Sequence, residues 1–307
     1  MKRLLLCAAL VLFTGCASKN YDYLSSDKSI LESKKLTVTP FPHEEYFGGP
    51  SSLATLFTHE SIEFVYADIV GNTFAPHIKG SLQQEMKETA RHYGLIPYEI
   101  NPNLSAILSE VSNNRPVLVL LNSGLTPLPV WQYTVVTGFN KASKEVFLTG
   151  SKNTQTWMSF DTFERLFERG GSWAVVALKP PLLPVASSEK EIILAIADMA
   201  QAGYKDHAKQ TASNYVTQHP LSFLGAIMLA NINYNMHDYL NAAAEYKRAL
   251  ALKPKNPVVM NSLAQSLLKD NKLIEAKLYA LASVKAGGAF LAEHQATLEA
   301  INHKLQQ

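Results

Sequence analysis

The stretch Glu44–Phe57, EEYFGGPSSLATLF, decides how the first half of the chain is read. Gly49-Pro50 followed by small and apolar residues marks the start of a helix of the kind that positions a nucleophile. Proline is tolerated in a first helical turn because the N–H groups there have no intrahelical partner. The residue in front of Gly49 is Gly48, which has no side chain. The segment thus predicts a nucleophile helix without its nucleophile.

Upstream, the chain opens Met1-Lys2-Arg3, runs apolar from Leu4 to Phe13 and reaches Thr14-Gly15-Cys16. A short basic start, roughly ten apolar residues and a small residue at the cut form a secretory leader. The run is too short to span a bilayer, which takes about 20 residues. Phe13-Thr14-Gly15-Cys16 resembles a bacterial lipobox. That resemblance implies removal of residues 1–15 and diacylation (palmitate among the acyl groups) of Cys16. Ala17 rather than Asp after the acylated residue implies the outer membrane, with the chain facing the periplasm. Two acyl chains hold a protein far more durably than one.

The chain has two cysteines. Cys7 leaves with the leader and Cys16 carries lipid, so the mature chain has neither a disulfide nor a thiolate nucleophile. Losing Lys2 and Arg3 lowers the 28 basic residues to 26, equal to the 26 acidic ones. A balanced chain carries no electrostatic footprint for nucleic acid.

Residues 16–36 are polar and irregular and read as a tether. Residues 37–179 mix helices and strands. Ser81-Leu82-Gln83-Gln84 has capping-box spacing, with Met86, Ala90 and Tyr93 on one face and Gly94 as the stop. Leu104–Val111 predicts a short helix, and the unbroken apolar run Val117–Leu121 a buried strand. Tyr133–Phe139 and Val146–Thr149 flank a polar turn and predict a hairpin. Asp161-x-x-Glu164 opens another helix, and Trp173–Leu178 is a last strand. Helices first and a mostly antiparallel sheet afterwards give an α+β domain.

Residues 180–188, with three prolines, read as a linker. Beyond it strand signals stop and a period near 34 residues emerges, in frames beginning about 189, 223 and 257. In the middle frame Leu229-Ala230 precedes Asp238-Tyr239 at the turn, and Ala242, Tyr246 and Ala249 follow. Leu263-Ala264, Ala276 and Ser283 repeat this, and Gly203-Tyr204 and Ala208 carry a weaker version. The pattern resembles tetratricopeptide (TPR) repeats, which implies an all-α solenoid over residues 189–307 with Leu291–Leu305 as its capping helix. Such arrays bind partners on a concave face.

Pro40–Thr55, Gly80–Gln83, Arg115–Leu120 and Trp131–Phe139 occur in the order found in papain-like peptidases that cut after double-glycine leaders, the bacteriocin-processing family. The resemblance implies a papain-like α+β fold for residues 37–179. It also places the chemistry. The family's Cys corresponds to Gly48, its His to Gln132 and its oxyanion Gln to His43, while Ser151 or Asn153 falls where the His-orienting residue belongs. A thiol peptidase needs a thiolate, a base and an oxyanion donor. Glycine cannot attack and glutamine cannot take a proton near neutral pH, so the expectation is a pseudoenzyme. Ser51 and Ser52 near the helix start leave a serine hydrolase open as the alternative, and a scaffold acting through the repeats alone as another.

No His-Glu-x-x-His, metal-ligand spacing or Gly-rich phosphate loop occurs, so neither metal nor cofactor is expected. Tyr133, Phe139, Phe147 and Trp157 are read as core. The expected partner is a polypeptide. In TPR arrays the first helix of each pair lines the groove, which points to Asn231, Tyr234, Asn261 and Gln265 as partner-binding residues.

Overall fold

The computed structural model describes residues 19–42, 47–125, 127–150 and 155–307. Cys16 and the leader, His43, Ser151 and Asn153 lie outside these residues. The first part begins with α1 (Asp22–Ser26), β1 (Ser33–Lys35), α2 (Gly48–His59), α3 (Tyr66–Thr73), and the short strands β2 (Phe74–Ala75) and β3 (Gly80–Ser81). Then come α4 (Gln83–His92), β4 (Ile96–Glu99), α5 (Leu104–Ser112), β5 (Val117–Asn122), β6 (Trp131–Asn140), β7 (Glu145–Thr149), β8 (Gln155–Ser159), α6 (Phe160–Arg169) and β9 (Ala174–Leu178).

The main sheet runs β4-β9-β5-β6-β7-β8, with β1 added against the far end of β6. Every pairing among the described residues is antiparallel. β5 explains why its sequence is continuously apolar. Leu118 and Leu120 face a core built with α2, α3 and α4, whereas Val117, Val119 and Leu121 face the one built with α5 and α6. A strand covered on both faces has no polar side to show. Gly138 is required where β1 crosses: a Cβ there would lie 2.8 Å from the Lys34 carbonyl oxygen.

Two sequence expectations need correction. Residues 19–36 are not a free tether: β1 joins the sheet, and Tyr21, Leu24, Ile30 and Leu36 are buried in the main core. The Tyr21 hydroxyl donates to Asp161 and Glu164 of α6, and Lys19 Nζ lies 2.6 Å from Glu168. Ser81 does not cap α4. It sits in β3, the N-cap position is Leu82, and Ser81 Oγ is buried without a partner. Elsewhere, Asn103 and Ser159 accept the N–H bonds that start α5 and α6.

The second part is wholly helical: α7 (Glu189–Gln201), α8 (Lys205–Gln218), α9 (Phe223–Asn235), α10 (Tyr239–Leu252), α11 (Pro257–Lys269), α12 (Leu273–Ala286) and α13 (Leu291–Leu305). First helices start at 189, 223, 257 and 291, and second helices at 205, 239 and 273, always 34 residues apart. Ala208, Ala230, Ala242, Ala249, Ala264, Ala276 and Ser283 are all fully buried. Their small side chains let the helices approach. Ser188, Ser222 and Asn256 cap α7, α9 and α11, with Pro257 opening the last.

The two parts share a core. Ile192, Ile196, Met199, Tyr215 and Leu229 belong to the same apolar cluster as Val117, Val136 and Phe163. α7 packs on β4, and the Tyr204 hydroxyl donates to the His92 carbonyl at 3.0 Å. The 180–188 segment is fastened too. Glu110 Oε1 accepts the N–H groups of Val185 (2.7 Å) and Ala186 (2.8 Å), Tyr98 donates to the Leu182 carbonyl, and Asn214 donates to that of Pro181.

Candidate functional site

α2 begins at Gly48 and is buried from Gly49 through Phe57. Its first turn rests on two neighbours. A Cβ built at Gly49 would lie 2.5 Å from Ser81 Oγ and 3.3 Å from Met86 Sδ, so β3 and the first turn of α4 close in where only hydrogen fits. At Gly48 the opposite holds. Among the described residues, the nearest atom to a Cβ there is the Tyr133 carbonyl oxygen, 3.9 Å away. No side chain among the described residues fills the space beside Gly48 at the helix N-terminus.

Gln132 precedes Tyr133 near the start of β6 and is exposed, opposite Leu121 in the β5 ladder. The fold therefore brings the N-terminus of α2 to the beginning of β6, next to Gln132. Tyr133 is buried, stacks edge-on to Trp173 and donates to the Ser81 carbonyl at 3.0 Å. Burial, with Glu85 nearby, raises its phenol above the usual range, so it is a neutral hydrogen-bond donor and no base.

Ser51 and Ser52 are both buried in α2. Ser51 Oγ is 2.6 Å from the Tyr66 hydroxyl, and the Ser51 carbonyl accepts from Thr55, whose Oγ1 in turn accepts the Phe41 N–H. The Ser51 hydroxyl thus fastens α3 to α2, and the Thr55 hydroxyl fastens Phe41. Of the aromatic set, Tyr133, Phe139 and Phe147 are core residues, whereas Trp157 is partly exposed on the edge strand β8. Among the described residues no group of three His, Cys, Asp or Glu side chains could hold a metal ion.

In the array, Asn231 is exposed on α9 and its Oδ1 accepts from the Tyr246 hydroxyl at 2.5 Å. Burial pushes that phenol up to about 12. Tyr234 is half-buried, its ring edge-on to Tyr239. Asn261 and Gln265 are corrections. Asn261 is only 7% exposed, and Gln265 donates to Thr297 of α13 at 3.2 Å. The capping helix engages the α11 face that the repeat pattern assigned to a ligand. α9 carries no charged residue at all, so the face it offers is neutral.

Sequence reasoning missed two hollows. One, about 480 Å³, lies between α4 and α7 and is lined by Arg91, His92, Asp198 and Tyr204. The other, about 510 Å³, lies at the start of the array beside Glu189, Tyr215 and Ser222. Neither includes Gly48, and no motif announced them.

No family model matches the chain, and no curated protein matches it. Among solved structures, similarity is found to the type III secretion translocator chaperone SycD of Yersinia enterocolitica, at 18% identity over 38% of this chain and 86% of that one, TM-score 0.36. The first TPR of Spaghetti (RPAP3) bound to an HSP90 peptide is similar at 16% identity over 38% of this chain and 94% of that one, TM-score 0.35. A double glycine motif protease from an AMS/PCAT transporter, in complex with the leader peptide, is similar at 15% identity over 47% and 93% of the two chains, TM-score 0.36. At such scores nothing about activity or partners follows. What the topology itself establishes is an α+β domain, helices first and antiparallel sheet after, joined to an all-helical array of 34-residue helix pairs.

Proposed function

We propose that the chain is a lipid-anchored envelope protein that binds polypeptide without cutting it, as cargo or as a component of an export pathway. The observation that carries this reading is Gly48. By the family resemblance, Gly48 at the α2 N-terminus stands where the thiol would be and Gln132 at the start of β6 where the base would be; the placing of that helix end beside β6 supports the reading. The backbone cradle persists while the chemistry is gone. The exposed groove of α9, with Asn231 and Tyr234, supplies neutral donors and acceptors suited to an extended backbone.

Purified protein is expected to give no turnover of double-glycine leader peptides. Gly48→Cys alone should stay at background, because Gln132 cannot deprotonate it. Gly48→Cys with Gln132→His should recover a trace, since each missing group alone costs several orders of magnitude in rate. Robust cleavage by the unaltered chain defeats the proposal. A serine hydrolase finds no support in the geometry, because Ser51 and Ser52 are both buried and Ser51 is engaged with Tyr66; labelling by a serine-reactive probe would revive it. Deleting residues 189–307 would unroof the shared core, so the scaffold reading is better tested with Asn231→Ala and Tyr234→Ala together. Loss of partner capture without a change in unfolding midpoint would place binding in the array.

The anchor has its own test. Metabolic labelling with a palmitate analogue should mark the chain, and Cys16→Ala should abolish both the label and membrane retention. An unlabelled variant retained as before would refute acylation at Cys16.

A further inference from the structure

We infer that the loop between β5 and β6 docks the first domain onto a lipid bilayer, next to the point where the chain is anchored. The loop is built to present apolar side chains to water. Leu125 is 62%, Leu128 74%, Val130 57% and Trp131 56% exposed. Scattered exposed apolar residues are ordinary, but four within seven positions form a patch.

The polar atoms beneath it are spent on holding it rigid. Buried Asn122 accepts the N–H groups of both Gly124 and Val130 at 2.9 Å through one oxygen, and Ser123 N–H donates to the Val130 carbonyl. Leu128 N–H closes the turn onto the Leu125 carbonyl. Gly124 is obligatory, since a Cβ there would meet the Leu128 carbonyl at 2.3 Å and Val130 N at 2.7 Å. Pro127 and Pro129 stiffen the tip further. A pre-ordered display of Leu, Val and Trp loses little entropy on entering the headgroup boundary, where Trp is favoured.

What selects a bilayer as occupant is where the chain outside the described residues must go. Lys19 N–H donates to Asp161 in the first turn of α6, and Lys19 Nζ reaches Glu168 in the last. The next residue, Arg169, donates to the Gly124 carbonyl at the base of the loop. α6 therefore links the two points over about 15 Å. Cys16 is three residues from Lys19, a reach of at most about 11 Å. If Cys16 is acylated, as proposed above, the membrane surface lies within that distance of α6, and a surface along this flank meets the loop.

The test uses the full acylated chain, in which Cys16 is blocked by lipid and Leu128→Cys supplies the only free thiol for an environment-sensitive fluorophore. On phosphatidylethanolamine–phosphatidylglycerol vesicles the emission should shift to the blue and rise severalfold over its value in buffer. The same label on Leu221→Cys, 81% exposed in the array, should not respond. Water-like emission at position 128 on an acylated chain overturns docking. So does a response to a double-glycine leader peptide but not to vesicles, which would assign the loop to polypeptide. Intact mass reports the acyl groups independently. A chain found non-acylated is relabelled with Cys16→Ser alongside Leu128→Cys, and a vesicle response at position 128 then refutes the anchor and sustains docking, whereas water-like emission overturns both.

Discussion

Glu110→Ala is expected to lower the thermal unfolding midpoint by about 10 °C, through a loss of roughly 3–5 kcal/mol. The carboxylate of Glu110 is fully buried in α5, and its two oxygens do different work. Oε1 accepts Val185 N–H and Ala186 N–H, and Oε2 lies 3.1 Å from Arg115. Truncation leaves two backbone donors and a mostly buried guanidinium unpartnered, each costing about 1–3 kcal/mol. The damage spreads because α7 starts at Glu189 and belongs to the core that continues beneath the sheet.

Glu110→Gln separates the roles, keeping an acceptor for the segment while dropping the ion pair, and should cost about half as much. The pH dependence follows from burial, which outweighs the two N–H donors and Arg115 and holds the carboxyl above its ordinary value of 4.5. Between that value and the raised one the folded state binds more protons than the unfolded state. Stability from this group is thus fully present below the ordinary value and falls as pH rises through the window above it. The glutamine does not titrate, so the advantage of the unaltered chain over it should shrink as pH rises above the ordinary value of 4.5. An alanine variant within about 1 kcal/mol of the unaltered chain in urea or thermal unfolding would show that this clamp does not hold the segment.

The repeats were legible because a solenoid writes its geometry as a period: Ala230, Ala242, Ala264 and Ala276 return at fixed spacing and are all buried for the same reason. β5 was legible from its apolar run, and the start of α2 from Gly49-Pro50. Residues 19–36 were misread because Tyr21, Leu24, Ile30 and Leu36 follow no single period. Their burial is decided by Lys141 and α6, more than a hundred residues away. Ser81 had capping spacing, but pairing with β2 moved it into a strand, a tertiary outcome that local spacing does not encode. Asn261 and Gln265 were assigned to the correct helix; what the period could not show is that α13 folds back onto that face. The Leu125–Trp131 loop is visible as apolar residues and prolines between two strands, yet only the bonds to Asn122 reveal that it is a fixed display.

Lys141→Met is expected to release residues 19–36 from the domain. Lys141 is buried at the end of β6, and its ammonium donates to the carbonyls of Leu24 (3.1 Å) and Ile30 (3.0 Å) while pairing with Glu32 at 3.0 Å. Methionine keeps most of the stem's volume and removes every donor. Two buried carbonyls then lack partners, a cost of about 2–4 kcal/mol that a short segment with four core residues cannot absorb. Amide exchange over residues 19–36 should accelerate at least about tenfold, the factor that a loss of 1.4 kcal/mol already produces, while the array keeps its protection. The functional consequence distinguishes a clamped anchor from a loose one. With the segment free, about 20 residues separate Cys16 from the sheet and can extend to about 70 Å, against about 11 Å when Lys19 is held. A label at position 128 should then return to water-like emission, even though the acyl chains still keep the protein in the membrane fraction. Exchange over residues 19–36 that is unchanged in the variant would show that Lys141 is not what fastens the anchor to the fold.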